Sequence, residues 1–324
     1  KILKLKNYKP IIIVAGEPNS IFFELFFKVV KKKIKSPIIL IASKKLLINQ
    51  AKILKTKIIF NITNEFEIIK KKNTLEKINL IDVDFNQRSG FNKISSNSNH
   101  YISNCFDIAI KLLKNNISDK LINGPISKKT FLKKRYNGIT EYLANKTNTK
   151  KFAMIIYNKN LSVCPLTTHL PIKYVSKNIN KLEIINKVKL INNFWKKKFN
   201  KKIKIGVTGL NPHCESIDSF NEDKEIIFPT IKKLKELKYN IEGPFAADTI
   251  FLKNNRKRFD LIIGMYHDQV LTPIKTLFEY DAINITIGLP FIRVSPDHGP
   301  NEAMLGKNKS NYLSLLNSIK FLDF

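Results

Sequence analysis

Cysteine, arginine and long apolar runs are scarce in this 324-residue chain, and each shortage excludes a class of protein. The three cysteines, Cys105, Cys164 and Cys214, are odd in number and widely spaced. That argues against a disulfide framework and for a reducing compartment. No apolar run approaches the ~18 residues needed to span a bilayer, and no signal-peptide h-region is recognisable. A soluble, cytoplasmic protein with no membrane partner is therefore expected. No Gly-x-Gly-x-x-Gly follows a candidate strand and no Gly-x-x-x-x-Gly-Lys-Ser/Thr occurs, so a dinucleotide would be held without a Rossmann fingerprint. A Gly-x-Ser-x-Gly elbow is also missing, which removes the usual hydrolase triad.

Basic residues are abundant: Lys and Arg total 57 against 26 Asp and Glu, a formal charge of +31. Charge alone would suggest a basic, non-catalytic nucleic-acid-binding protein. Only Arg88, Arg135, Arg256, Arg258 and Arg293 are arginines, however, and base readout and phosphate forks favour Arg. The lysines are scattered among Ile and Asn, in runs such as Lys31–Lys33, Lys70–Lys72 and Lys196–Lys198 that suit solvated helix faces. No nucleic-acid partner is expected, while the positive field still attracts acidic, phosphorylated metabolites.

A hydrophobic content of 43% over 324 residues is ample for two domains or one large α/β unit. Ile11–Ala15 is a continuous apolar run bounded by Pro10 and Gly16, the mark of a buried strand, and Ile21–Val30 follows with helical length. Pro37–Ala42 and Lys44–Leu54 repeat the strand–helix pair. Further strands are expected at Lys120–Asn123, Ala153–Tyr157, Leu161–Leu166, Ile203–Thr208, Leu261–Met265 and Ala282–Thr286. An amphipathic helix is expected over Lys224–Lys238. Such alternation implies a mostly parallel sheet with helices on both faces. The Ser- and Asn-rich stretch Asn86–Asn99 is the most loop-like segment.

Three of the five histidines stand in short phrases at the ends of expected strands, where open α/β sheets place ligands. These are Thr168-His169-Leu170-Pro171, Asn211-Pro212-His213 and Tyr266-His267-Asp268-Gln269. Any one alone would be an ordinary surface or core histidine. Three neutral imidazoles brought together by folding would make a divalent-metal site with positions left open. Gly243–Thr249 places Asp248 after a tight turn. Asp248 and Asp268 are candidate proton carriers, metal ligands or orienting partners, with helix capping as the plain alternative. Lys275, Asn284 and Arg293 supply positive charge and an amide. Arg293 offers a bidentate fork for phosphate or carboxylate that Lys cannot replace, and Thr140 adds a hydroxyl.

These phrases, in this order, resemble the 4-hydroxythreonine-4-phosphate dehydrogenase family of pyridoxal phosphate biosynthesis. The resemblance runs through nearly the whole chain and is carried by Thr167–Pro171, Gly209–His213, Ala247–Thr249, Met265–Gln269 and Asn284–Arg293, with weaker echoes at Gly16-Glu17-Pro18 and Gly124–Lys128. It implies an isocitrate/isopropylmalate dehydrogenase-like fold, two α/β/α domains with a cleft between them. The domains are expected at 1–125 with 276–324, and at 126–275 carrying the metal histidines. It further implies a homodimer with a shared active site, NAD or NADP as cofactor, and one divalent ion (zinc, cobalt, manganese or magnesium) on His169, His213 and His267. Thr140, Lys275, Asn284 and Arg293 would contact a phosphorylated substrate. The implied reaction is oxidation of 4-phosphohydroxy-L-threonine at its β-hydroxyl, followed by decarboxylation. Asp248 or Asp268 would assist proton movement.

The chain departs from the family pattern in three places. Ile139 stands in Gly138-Ile139-Thr140-Glu141 where the family carries His, and an apolar side chain cannot hydrogen-bond substrate. His298-Gly299-Pro300-Asn301 replaces His-Gly-Thr-Ala near the expected cofactor, where Pro removes a backbone donor. Asn19-Ser20-Ile21-Phe22 replaces a more glycine-rich stretch. The neighbouring reading is a paralogous dehydrogenase of a phosphothreonate or phosphoerythronate.

Overall fold

The continuous apolar runs become strands buried on both faces, as parallel sheets covered by helices require. The computed structural model describes residues 8–70, 75–132, 135–279, 281–296 and 298–324. Lys71 and Lys72, from one of the lysine runs, lie outside them. The chain forms two compact units, 1–142 with 290–324, and 143–289. Both boundaries fall later in the chain than the cuts expected at 125/126 and 275/276. Phe106, Phe131, Tyr136 and Tyr142 pack ring against ring and keep the segment up to Tyr142 with the first unit.

In the first unit the chain runs β1 (Ile11–Val14), α1 (Phe22–Val29), β2 (Ile38–Ala42), α2 (Lys44–Ile53), β3 (Asn61–Thr63), α3 (Glu65–Lys70), β4 (Ile78–Asp82), α4 (Asn99–Lys114) and β5 (Lys120–Asn123). Helix α5 (Ile139–Lys146) spans the boundary. The strand order is β3-β4-β2-β1-β5, and β12 (Ile292–Pro296) adds beside β5 with every pair parallel. The order therefore reverses between β1 and β5, so their following loops open a crevice at the carboxyl ends. Ser43 caps α2 by accepting from the Leu46 N–H, 3.4 Å away. On α1, Phe22 and Phe26 stack with centroids 5.9 Å apart. The final helix, α11 (Leu313–Leu322), closes the unit.

The second unit holds β6 (Ala153–Tyr157), β7 (Ser162–Pro165), α6 (Lys181–Phe199), β8 (Ile205–Thr208), α7 (Phe228–Glu236), β9 (Ile241–Phe245), α8 (Ala247–Ile250), α9 (Lys253–Arg256), β10 (Leu261–Gly264), α10 (His267–Phe278) and β11 (Ile283–Ile287). Its strand order is β11-β6-β7-β10-β8-β9. β6 is antiparallel to both neighbours, while β7, β10, β8 and β9 run parallel. Val270 and Ile274, one turn apart on α10, pack into the core formed with Ile156, Leu161, Val163 and Ile262. α6 starts under the Asn180 side chain, which accepts from the Glu183 N–H at 2.9 Å, and ends at Asn200 in the left-handed region.

Two local expectations change. The helix expected over Lys224–Lys238 is a wide turn at Asp223–Ile227 followed by α7. The tight turn expected at Gly243-Pro244 is part of β9, the last strand of its sheet, where proline's missing N–H removes no ladder bond. The three cysteines are free thiols, and burial pushes Cys105 up to about 12 and Cys164 up to about 11. Among the described residues no helix is long and apolar enough to cross a membrane.

Candidate active site

β7, β10 and β8 are adjacent and parallel, so the loops leaving them emerge side by side. His169 follows β7, His267 opens α10 directly after β10, and His213 follows β8. The His169 and His267 rings lie 5.7 Å apart between centroids, tilted by 39°. Both residues keep solvent access, and His213 is exposed on its loop. His213 and Cys214 adopt left-handed backbone (φ 54° and 61°), uncommon for residues with a Cβ and frequent at functional sites. Among the described residues no group of three His, Cys, Asp or Glu side chains is close enough to hold a metal ion. The structure thus brings two of the three expected ligands together and places the third on the neighbouring loop.

A lattice of hydrogen bonds holds these loops in place. Thr167 donates through both its N–H (3.2 Å) and its hydroxyl (2.7 Å) to the Met265 carbonyl, tying the end of β7 to the end of β10. The Gln269 amide joins β10 to β8. Its Oε1 accepts from the Thr208 hydroxyl and the Met265 N–H, both at 2.7 Å, and its Nε2 donates to the Gly209 carbonyl at 2.8 Å. Asp223 is buried and accepts from the Leu210 N–H (2.7 Å), the Asn211 N–H (3.0 Å) and the Asn211 side chain (3.0 Å). These bonds fix the stretch that leads to His213. Sequence reading misses the bracing roles of Thr167, Gln269 and Asp223. The first two sit inside the histidine phrases, but Asp223 carries no local signal.

His267 Nδ1 donates to Asp268 Oδ1 at 2.7 Å, so the carboxylate leaves Nε2 as the ring's free acceptor. Asp268 thereby serves the imidazole rather than the helix terminus, since α10 has no side-chain cap. Asp248 lies exposed in the first turn of α8, inside the Ala246 cap position, so the capping alternative does not apply to it. Two neighbouring imidazoles, one already oriented by a carboxylate, form a donor set that suits a borderline divalent ion. Lys275 stands half-buried in the last turn of α10, where burial lowers its pKa. Asn284 lies in β11, and its Oδ1 is buried without a hydrogen-bond partner among the described residues.

In the first unit Arg293 and Thr140 meet. Arg293 is only 1% exposed, yet it is polar throughout its head. Its Nε donates to Asn123 Oδ1 at 2.7 Å and its Nη1 to Thr140 Oγ1 at 3.2 Å. Asn123 ends β5 and Thr140 lies in the first turn of α5, so strand end, helix start and β12 converge on one guanidinium. Burial pushes Arg293 down to about 9, against the opposite pull of Glu141. Nothing in the sequence around Asn123 marks it for this role.

In each unit polar groups gather where strands end: Asn123 closes β5, and His169, His213 and His267 follow β7, β8 and β10. The chain belongs to the family of the pyridoxal phosphate biosynthetic protein PdxA, whose profile matches residues 33–322. It is 38% identical over 316 residues to the 4-hydroxythreonine-4-phosphate dehydrogenase of Sulfurihydrogenibium sp., covering 95% of each chain. Identity to the Aquifex aeolicus enzyme of the same name is 33% over 320 residues, 97% of this chain and 98% of the relative. The crystal structure of the Klebsiella pneumoniae 4-hydroxythreonine-4-phosphate dehydrogenase superposes with a TM-score of 0.82 at 26% identity, covering 97% and 98% of the two chains. The family is enzymatic, which sets aside the nucleic-acid-binding reading of the charge.

Proposed function

We propose that this chain oxidises 4-phosphohydroxy-L-threonine at its β-hydroxyl, with NAD or NADP and one divalent ion, and decarboxylates the product to 3-amino-2-oxopropyl phosphate. The observation that carries this reading is the His169–His267 pair at the ends of adjacent strands, in a chain that shares its family with dehydrogenases of that name. The same relatives favour this substrate over the phosphothreonate and phosphoerythronate paralogues. His169, His213 and His267 are the proposed ligands, on the loops that leave the adjacent strands β7, β8 and β10. A divalent ion there supplies Lewis acidity toward the substrate hydroxyl and the later carbonyl, and the nicotinamide supplies the hydride acceptor.

The chain's own residues do the rest. Asp268 holds the His267 ring in one tautomer and orientation. Arg293, backed by Asn123 and Thr140, offers a preorganised cation to the phosphate, while Lys275 and Asn284 contact the other polar groups of the substrate. Asp248 or Asp268 takes the hydroxyl proton as hydride leaves the same carbon. After carbon dioxide departs, a carboxylic acid returns a proton to the carbon that carried it. A homodimer with a shared active site and a cytoplasmic location complete the proposal.

The test is NAD- and NADP-linked oxidation of 4-phosphohydroxy-L-threonine by purified protein, with chelator and with each divalent metal added back. Metal-dependent reduction of one cofactor, abolished by His169→Ala in a folded protein, is the expected result. No turnover with either cofactor and any metal defeats the assignment; full turnover after chelation defeats the metal role.

A further inference from the structure

β7 and β8, the strands that lead to His169 and His213, are separated by β10, so no ladder bond sets the spacing of their loops. We infer that Glu222 does so, as a positioning residue that latches the two histidine loops together. The role rests on the metal-dependent reading above and concerns how the third imidazole is held relative to the other two.

Two sides of the histidine triangle are braced by the bonds already described. Thr167 ties the end of β7 to the end of β10, and Gln269 ties β10 to β8. The third side, from the β8 loop to the β7 loop, runs through Glu222. Its Oε2 accepts from Asn211 Nδ2, just before His213, at 3.1 Å, and its carboxylate also accepts from the Ser176 hydroxyl, downstream of His169. Asp223 Oδ2 takes the same Asn211 amide at 3.0 Å, so consecutive carboxylates hold one side chain while Glu222 also reaches across to the next loop. Burial works against the charge on Glu222. Bonds from its own backbone N–H, from Asn211 and from Ser176 outweigh it and keep the carboxyl below its ordinary value, so the group is a charged, accept-only partner at neutral pH.

Both ends of the latch stand on packed structure. On the β7 side, Leu170, Ile172 and Tyr174 are exposed, and the segment returns to the core at Val175 and Ile179. Ser176 lies between those two anchors. Bonds from the Val175 N–H to the Ile172 carbonyl (3.0 Å) and from the Ile179 N–H to the Ser176 carbonyl (3.1 Å) hold it in tight turns directly before α6. On the β8 side, the Asn221 side chain accepts from the Asp223 N–H (2.9 Å) and the Lys224 N–H (3.2 Å). That seats Glu222 at the start of the wide turn before α7. α6 packs against both the wide turn and α7. A carboxylate mounted there moves with the helical layer and passes the layer's rigidity to both loops. Preorganised ligand loops lose less freedom when an ion binds.

Hydrogen exchange on the full chain, without metal or cofactor, reads the latch directly. Glu222→Ala should speed amide exchange roughly tenfold in both 172–179 and 209–214, with the urea midpoint little changed. Ser176→Ala, at an exposed position, should speed exchange in 172–179 and carries the test should Glu222→Ala fold poorly. Zinc affinity in chelator competition should fall roughly tenfold in Glu222→Ala, and about threefold in Glu222→Gln, which keeps one accepting oxygen. Adding Ser176→Ala to Glu222→Ala should cost nothing further, because its partner is already gone. Asp218→Ala removes a carboxylate from the same loop and should alter neither readout. Faster exchange in 209–214 alone, zinc affinity unchanged in Glu222→Ala, or additive losses in the double variant overturn the latch. A wild type that binds no divalent ion strikes the metal-dependent reading instead, because exchange decides the latch in the metal-free chain.

Discussion

Replacing Arg293 with lysine isolates the guanidinium fork while keeping a positive charge. Among the bonds of the native head are two that diverge, to Asn123 at 2.7 Å and Thr140 at 3.2 Å, in a setting only 1% exposed. A single ammonium nitrogen cannot stand in both places, so at least one buried partner loses its bond, at about 1–3 kcal/mol of folding stability. The fork proposed for the substrate phosphate is lost as well. A charge-assisted bond is worth about 1.5–3 kcal/mol, which translates to roughly ten- to hundredfold in kcat/KM. Urea denaturation reads the first effect and steady-state kinetics the second, with KM for substrate rising and KM for cofactor unmoved. A variant within threefold of wild type in kcat/KM, with an unchanged urea midpoint, removes Arg293 from phosphate recognition.

The same residue sets a pH dependence. Burial brings its folded value to about 9, below the ordinary 12.5. Below about 9 the guanidinium is charged in both the folded and unfolded chain, so the cost of burying it is fully present. That cost is relieved as pH climbs from 9 toward the unfolded value. Affinity for phosphorylated substrate should therefore fall as pH rises through about 9, while this group's contribution to stability improves over the same range. Phosphate affinity constant to pH 10 would contradict the argument.

Asp223→Asn should lower divalent-metal affinity by roughly ten- to a hundredfold in chelator competition, because one of the carboxylate oxygens that fix Leu210 and Asn211 becomes an amide donor; unchanged affinity would mean the loop needs no such brace. Lys120 is buried and its pKa is lowered by desolvation, against the pull of Asp119 and Asp323. The penalty on its charge is full below the folded value and fades as pH rises through it, so Lys120→Met should melt at the same or higher temperature at pH 7. That advantage should shrink by pH 10, and a gap that widens with pH would refute it. Phe106→Ala should cost about 3–5 kcal/mol in urea denaturation, since the ring is fully buried and packs edge-on against Tyr142; a loss under 1 kcal/mol would show that the site collapses onto the void.

Continuous apolar runs suffice to make about half of the architecture legible in the sequence. Ile11–Val14 and Ile38–Ala42 read as strands because both faces are buried and no polar residue interrupts them. β4 and β12 escape such a reading, because Asn79, Asp82, Arg293 and Ser295 break their runs with residues that serve hydrogen bonds rather than core. The α7 segment reads as one helix from its apolar spacing. Its first turn is instead widened at Asp223, whose carboxylate is drawn to the loop before His213. Local periodicity carries no trace of that distant demand.

The candidate site divides along the same line. Histidines, Asp268 and Arg293 announce themselves because their chemistry is rare in this chain and their phrases sit at strand ends. Gln269, Thr167 and Asp223 act on backbone N–H and carbonyl groups, which nearly every residue possesses, so their partners leave no mark in the sequence. Ile139 belongs with the readable features, and the structure sharpens its meaning. It is half-buried at the start of α5, immediately before the buried Thr140 that accepts from Arg293. An imidazole at this position would add a second donor beside the guanidinium. With an apolar side chain there, more of the proposed recognition of the phosphate falls on Arg293 and Thr140. Substitution at Arg293 should therefore cost more here than in a relative that keeps the histidine, and restoring it through Ile139→His should recover part of the affinity that Arg293→Lys removes.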